Sequence, residues 1–261
     1  MPKFAANLTM LFTELPFLDR FKAAAEAGFE AVEFLFPYDY PVEKLAARLN
    51  DNGLSLVLHN LPAGNWGAGE RGIGCLPDRV EEFRAGVDKA IEYATALGCK
   101  QVNCLAGIRP AEIAPKLAQQ TLIANLAFAA PKLAAAGIGL LLEPVNSRDI
   151  PGFFIDRTAL GLEIIEAVGA PNLKLQYDIY HAQVMEGDLT RTIEREFSRI
   201  GHIQLADNPG RNEPGTGEIN YPFLFSRIDA LGYSGWIGCE YKPRATTLEG
   251  LSWLTTQVPA R

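Results

Sequence analysis

Short apolar runs and longer amphipathic ones alternate eight times along this chain. The apolar runs are Phe4–Met10, Ala31–Phe36, Leu54–Leu61, Gln101–Ala106, Ile138–Val145, Leu173–Ile179, His202–Ala206 and Trp236–Tyr241. Runs of this length read as strands covered on both faces, as in a parallel sheet. Helix candidates lie between and after them at 16–27, 41–52, 77–97, 111–136, 156–168, 187–200, 220–231 and 246–257. The third is the clearest. Val80, Phe83, Val87, Ile91, Ala94 and Leu97 share one face, and Glu81, Glu82, Arg84, Asp88 and Lys89 the other. Gly28, Gly53, Gly98, Gly137, Gly169, Gly201 and Gly232 each stand where a C-cap glycine would end a helix before the next strand. Pro131 should kink or split the fourth helix. Eight β/α units over residues 1–261 make a single-domain (β/α)8 TIM barrel, with a doubly wound sheet as the weaker alternative.

Four of the last strands end in one polar residue: Glu143, Asp178, Gln204 and Glu240, on strands five to eight. Catalytic groups of such barrels gather at the C-terminal strand ends, so these four should converge. One buried acid would be read as half of an ion pair. Three acids and an amide around one point describe a divalent-metal site, and oxygen donors favour Mg2+ or Mn2+ over zinc. His59 ends strand three and His181 follows Asp178 at the exit of strand six; each is a candidate ligand-binding ring. Lys242 and the loop residue Arg211 are candidate cations for a substrate carboxylate. His202 begins strand seven and reads as structural, and Glu33 sits inside strand two.

Two loops, 62–76 and 207–219, are long enough to close over a ligand. The first carries Gly67-Ala68-Gly69-Glu70-Arg71-Gly72, a literal G-x-G-x-x-G. Its placement past a strand end and before Cys75-Leu76-Pro77 is wrong for a dinucleotide cradle. The glycines suit a flap instead, with Glu70 and Arg71 carried over the ligand. The net charge of −7 disfavours nucleic acid and anionic lipid as partners. No apolar stretch is long enough to span a membrane. The Lys3 start with its apolar run is interrupted by Asn7 and Thr9 and has no A-x-A site, so no signal peptide is expected. Four cysteines without metal-site spacing read as reduced thiols of a cytoplasmic protein. A homo-oligomer is left open.

The stretches FAANLTMLF, VEFLFPYDYP, LHNLPAGNWGAGERGIGCLP, VNCLAG, LLLEPVN, DIPGFF, LQYDIYH, HIQLADNP, PGTGEINYPFLF and GWIGCEYKP span nearly the whole chain. They resemble the hydroxypyruvate isomerase family of xylose-isomerase-like barrels, which is close to the 2-oxo-tetronate isomerases. The resemblance implies interconversion of hydroxypyruvate and tartronate semialdehyde in glyoxylate metabolism. It implies acid/base roles for Glu143 and Glu240, and a divalent ion, not necessarily obligatory, at Glu143, Asp178, Gln204 and Glu240. The residues fit this chemistry independently. Moving a carbonyl along a small hydroxy-oxo acid passes through an enediolate, so the site must carry a proton and stabilise charge on two adjacent oxygens. The rival readings are a 2-oxo-tetronate isomerase, a ketose epimerase, a ketoacid dehydratase and a non-catalytic sugar-acid binder. An endonuclease of the related barrel class is disfavoured by charge and by too few histidines.

Overall fold

A computed structural model describes residues 2–257; Met1 and residues 258–261 of the expected 1–261 unit lie outside the described residues. Eight parallel strands close in sequence order into a barrel: β1 (Lys3–Asn7), β2 (Ala31–Glu33), β3 (Ser55–Asn60), β4 (Gln101–Cys104), β5 (Gly139–Leu142), β6 (Leu173–Asp178), β7 (Ile200–Leu205) and β8 (Trp236–Cys239). The ring is sealed by pairing of β1 with β8. Helices α1 (Arg20–Glu26), α2 (Val42–Asp51), α3 (Val80–Ala96), α4 (Pro115–Ala135), α5 (Thr158–Val168), α6 (Ile179–Met185), α7 (Leu189–Glu196), α8 (Tyr221–Ala230) and α9 (Ser252–Gln257) surround it. Their apolar faces bury Leu45, Val87, Leu122, Ile164 and Ile228 against the strands. No helix among the described residues is long and apolar enough to cross a membrane.

Every expected strand is present, but several are shorter than their apolar runs. Residues such as Phe34, Leu105 and Tyr241 leave the ladder while staying buried, and they begin the loops that build the mouth. Six of the seven expected C-cap glycines, Gly28, Gly53, Gly98, Gly137, Gly169 and Gly232, take positive φ. Gly201 is the exception. It lies inside β7, where a side chain would meet Leu141 at 2.6 Å and Lys174 at 3.0 Å, so it is a close-approach residue and not a helix stop. Pro131 does not split its helix, because α4 runs unbroken through it. One helix had not been expected. Asp178 Oδ1 accepts from the backbone N–H of Tyr180 (2.8 Å) and His181 (3.4 Å), and this capping starts α6 directly at the end of β6.

Neither long loop is a free flap. Gly72 pairs with Ala106 beyond β4, and a side chain on Gly72 would collide with Leu105 O at 2.4 Å. That contact sews segment 72–75 to the neighbouring strand exit. Loop 207–219 is wound around the buried Asp207 carboxylate, which accepts from the N–H of Gly215 and Gly217 (both 2.9 Å) and Ile219 (3.1 Å).

Candidate active site

The C-terminal mouth of the barrel opens into a cavity of about 530 Å3 lined by Asn7, Glu33, Arg71, Glu143, Asp149, Gln176, His181, Gln204, Arg211, Glu240 and Lys242, among others. Glu143 and Glu240 each stand one residue beyond a strand end, and Asp178 is the last residue of β6. Ligand atoms of Glu143, Asp178, His181 and Glu240 all lie within 4.8 Å of one another, and all four residues are buried. Gln204 shares the cavity: its amide donates to Glu33 Oε1 (2.7 Å) and its carbonyl accepts from Gln176 Nε2 (2.6 Å).

Three buried carboxylates at this spacing repel by about 3–4 kcal/mol per pair in a medium of effective dielectric near 20. Arg211 is the one cation hydrogen-bonded to the cluster among the described residues, with Nη2 at 2.6 Å from Glu240 Oε2. Burial, reinforced by Glu240 and Asp178, therefore lifts the Glu143 carboxyl well above its ordinary value against Arg211 and Asn103. Burial also pushes Glu240 up to about 8, opposed by Arg211 and assisted by Asp178 and Glu33. Asp178 is raised by burial to about 6, opposed by Arg211 and its two backbone donors. His181 is driven the other way, well below 6.5, by burial and then by Arg211.

The two glutamates are held differently. Both oxygens of Glu240 are engaged, by Arg211 and by Asn7 Nδ2 at 3.2 Å. Glu143 receives Asn103 Nδ2 on Oε2 (2.8 Å), while Oε1 lies 3.9 Å from His181 Nε2, beyond hydrogen-bond distance. The tautomer of His181 follows from its neighbour. Asn146 accepts the Asp149 N–H on its Oδ1 (2.7 Å), so its NH2 points at His181 Nδ1 (2.6 Å). His181 Nδ1 is thereby the acceptor, and Nε2 carries the hydrogen that faces Asp178 and Glu143.

Beneath this layer Glu33 ties the barrel interior together. A register shift between Val32 and Glu33 accompanies its inward aim. It accepts from Asn7 (3.0 Å) and Gln204 and lies 2.8 Å from His202 Nε2. A side chain at Gly238 would meet both Glu33 oxygens at 2.3 Å, so β8 needs glycine there. His202 is thus a structural group under the site. Arg211 owes its aim to its backbone, which is held at φ +55 by the pairing of Asp207 with Asn212 and by Lys242 N–H donating to Arg211 O (2.8 Å). Asp207→Ala would strip three loop N–H groups of their acceptor and loosen this frame. The expected result is a loss of roughly 2–4 kcal/mol of unfolding free energy in a denaturant melt, with weakened activity. A variant within about 0.5 kcal/mol of the parent would contradict that role of the carboxylate.

Two expected site residues lie elsewhere. His59 is fully buried outside the cavity, beside Tyr38 OH (3.3 Å), because Leu58 and Asn60 take the inward face of β3 and the pleat sends residue 59 the other way. Glu70 turns back into its own loop, where it bonds the Asn65 N–H and pairs with Arg79 Nη1 at 2.6 Å. Its neighbour Arg71 lines the cavity instead. Lys242 reaches the cavity rim but is exposed, and β8 ends before it. Asn7, Asn103 and Asn146, which orient the cluster, were not singled out by sequence. The signal for Asn7 was present, since it ends β1 as the acids end their strands.

The donor set fits a divalent ion. Asp178 Oδ2 is buried with no hydrogen-bond partner, and Glu143 Oε1 has only a distant one. Carboxylate oxygens are the hard donors that a hard divalent cation takes. Beside Glu143, Asp178 and Glu240, His181 Nε2 carries hydrogen, while Gln204 Oε1 accepts from Gln176 and keeps one lone pair for a further bond.

A closed eight-strand barrel with acids at the ends of β5, β6 and β8 defines the class. The chain belongs to the xylose isomerase-like TIM barrel family, whose model matches residues 21–257. It is 56% identical to the hydroxypyruvate isomerase of Escherichia coli K12 and 51% identical to a 2-oxo-tetronate isomerase of Cupriavidus necator, each over 97% of this chain and 98% of the relative. Among solved structures it resembles one titled AP endonuclease, family 2, from Brucella melitensis. That match has a TM-score of 0.96 and 47% identity, covering 99% of this chain and 100% of that one.

Proposed function

We propose that the chain is a hydroxypyruvate isomerase: a single-domain enzyme interconverting hydroxypyruvate and tartronate semialdehyde. The observation that carries this reading is the pair of buried glutamates, Glu143 after β5 and Glu240 after β8, whose ligand atoms come within 4.8 Å of each other. The near full-length similarity to a protein of that name supports it. The reaction removes a proton from the hydroxymethyl carbon and returns one to the former carbonyl carbon, through an enediolate. Glu143 has an oxygen without a close partner and, in its ionised form, takes the proton. Glu240, held by Arg211 and Asn7, faces the adjacent carbon and returns a proton there. His181 Nε2–H donates to a substrate oxygen as charge develops on it. A divalent ion held by Glu143, Asp178, Gln204 and Glu240 would supply Lewis-acid stabilisation of that charge.

The runner-up, a 2-oxo-tetronate isomerase, is favoured by the cavity, which exceeds what a three-carbon acid fills, and by the 51% identity. An endonuclease reading is opposed by an anionic mouth and by the histidines. His59 and His202 are committed elsewhere, which leaves His181 alone at the cluster. Four free, buried cysteines suit a reducing cytoplasm. The test is an NMR assay of three- and four-carbon 2-oxo acids in D2O. Tartronate semialdehyde should form from hydroxypyruvate with deuterium at the carbon that receives the proton. Faster turnover of the four-carbon acid would make the runner-up correct, and no turnover of either would sink both.

A further inference from the structure

A substrate that is both a hydroxy-ketone and a carboxylate poses two problems, and the cluster solves only one. Glu33, Glu143, Asp149 and Glu240 line the cavity and Asp178 lies beside them, so a carboxylate entering it meets acidic groups and needs a cation that is not already spent. Three cations line the cavity. Arg211 is committed, through Nη2 to Glu240 (2.6 Å) and Nη1 to Asp149 (3.5 Å). Lys242 is exposed at the rim on a flexible stem. Arg71 is different: its guanidinium lies 4.3 Å from the centre of the Trp66 ring, and Nη1 donates to the carbonyls of Trp66 (3.1 Å) and Glu70 (2.8 Å). Neutral contacts fix its plane, yet no carboxylate of the described residues pairs with it.

Its backbone is equally fixed. Gly72, the next residue, adopts φ +117 against Leu105 O, and its N–H donates to Ala63 O (3.1 Å). Asn65 caps the short helical turn over Trp66–Ala68. Glu70, bound to Arg79 and to the Asn65 N–H, closes the loop from behind. A planar fork already ordered by neutral contacts is what a bound carboxylate requires, because little side-chain entropy remains to be lost.

We infer that Arg71 is the carboxylate anchor of this site, the residue by which it selects 2-oxo acids over neutral ketoses. This rests on the isomerase reading above and names what that reading left open. Arg71 lines the same cavity as Glu143 and Glu240, so a carboxylate held on Arg71 leaves the hydroxymethyl and carbonyl carbons for the two glutamates.

The experiment compares Arg71→Met, Arg71→Ala and Lys242→Met with the parent on hydroxypyruvate. Arg71→Met should raise KM on the order of 10²-fold, with kcat changed much less. Lys242→Met should shift KM less than about tenfold. Millimolar guanidinium should restore part of the lost kcat/KM of Arg71→Ala, and urea, neutral and of similar shape, should not. A lost loop scaffold could not be repaired in that way. An unchanged KM in Arg71→Met, a larger effect at Lys242, or a fall in kcat without guanidinium rescue would each overturn the assignment. A parent enzyme inactive on both three- and four-carbon 2-oxo acids would overturn the isomerase reading itself, a result visible before any variant is made.

Discussion

Glu143→Gln should lower kcat by roughly 10³-fold or more while leaving the fold intact, since general acid–base transfer alone contributes on the order of 10²–10⁴. The amide keeps the shape of the side chain and can still meet Asn103, but it cannot accept a proton from carbon. Glu240→Gln should also be severe, for a second reason: an amide NH2 facing the Arg211 guanidinium replaces attraction with donor–donor repulsion. The two variants are separable in D2O. Without Glu143 neither solvent exchange at the hydroxymethyl carbon nor product should appear. Without Glu240, slow exchange at that carbon should persist while product does not accumulate, because removal survives and redelivery is lost. Near-normal turnover in Glu240→Gln would reduce the mechanism to a single carboxylate. Exchange surviving in Glu143→Gln would reverse the two roles.

The cluster was legible because a parallel strand buried on both faces has few reasons to end in an acid. Glu143, Asp178 and Glu240 stood out against LLL, LQY and IGC. Which face a strand-end residue takes is not written in the run itself. In β3 the choice fell on Leu58 and Asn60, and His59 went to the helix side. The exchange between Glu70 and Arg71 has a similar origin. Left-handed turns at Gly69 (φ +96) and Gly72 (φ +117) decide which of two adjacent side chains points inward, and the sequence names only the glycines. Asn7 and Asn103 act through partners 233 and 40 residues away, respectively, and such distances become contacts only when the barrel closes. The eight-fold alternation survived intact because each unit is local. The added α6 escaped it because Asp178 serves as site acid and helix cap at once.

Removing divalent cations with EDTA should abolish most activity, and it should also change how stability depends on pH. Glu240, Asp178 and Glu143 all have folded-state pKa values above their unfolded ones. Below the unfolded value of about 4.5 both states are protonated and the cluster costs nothing. As pH rises past that point the unfolded chain ionises first, the folded state holds more protons, and stability falls until the raised folded values, about 8 for Glu240, are passed. His59 acts oppositely. Burial lowers it to about 4, so between 4 and 6.5 the unfolded chain holds more protons and stability rises with pH. His181 is displaced in the same direction. The opposing slopes overlap in acid, but above about 6.5 unfolded His59 and His181 are less than half protonated and the carboxylate slope prevails. The metal-free protein should therefore lose Tm steadily between pH 6.5 and 8. An ion that binds the ionised cluster competes with those protons, so adding Mn2+ or Mg2+ should raise Tm more at pH 8 than at pH 6.5. Equal gains at both pH values would mean the ion binds away from these carboxylates. Activity that persists through EDTA while Tm still responds would leave the ion a structural part, with Arg211 and His181 carrying the charge of the enediolate alone.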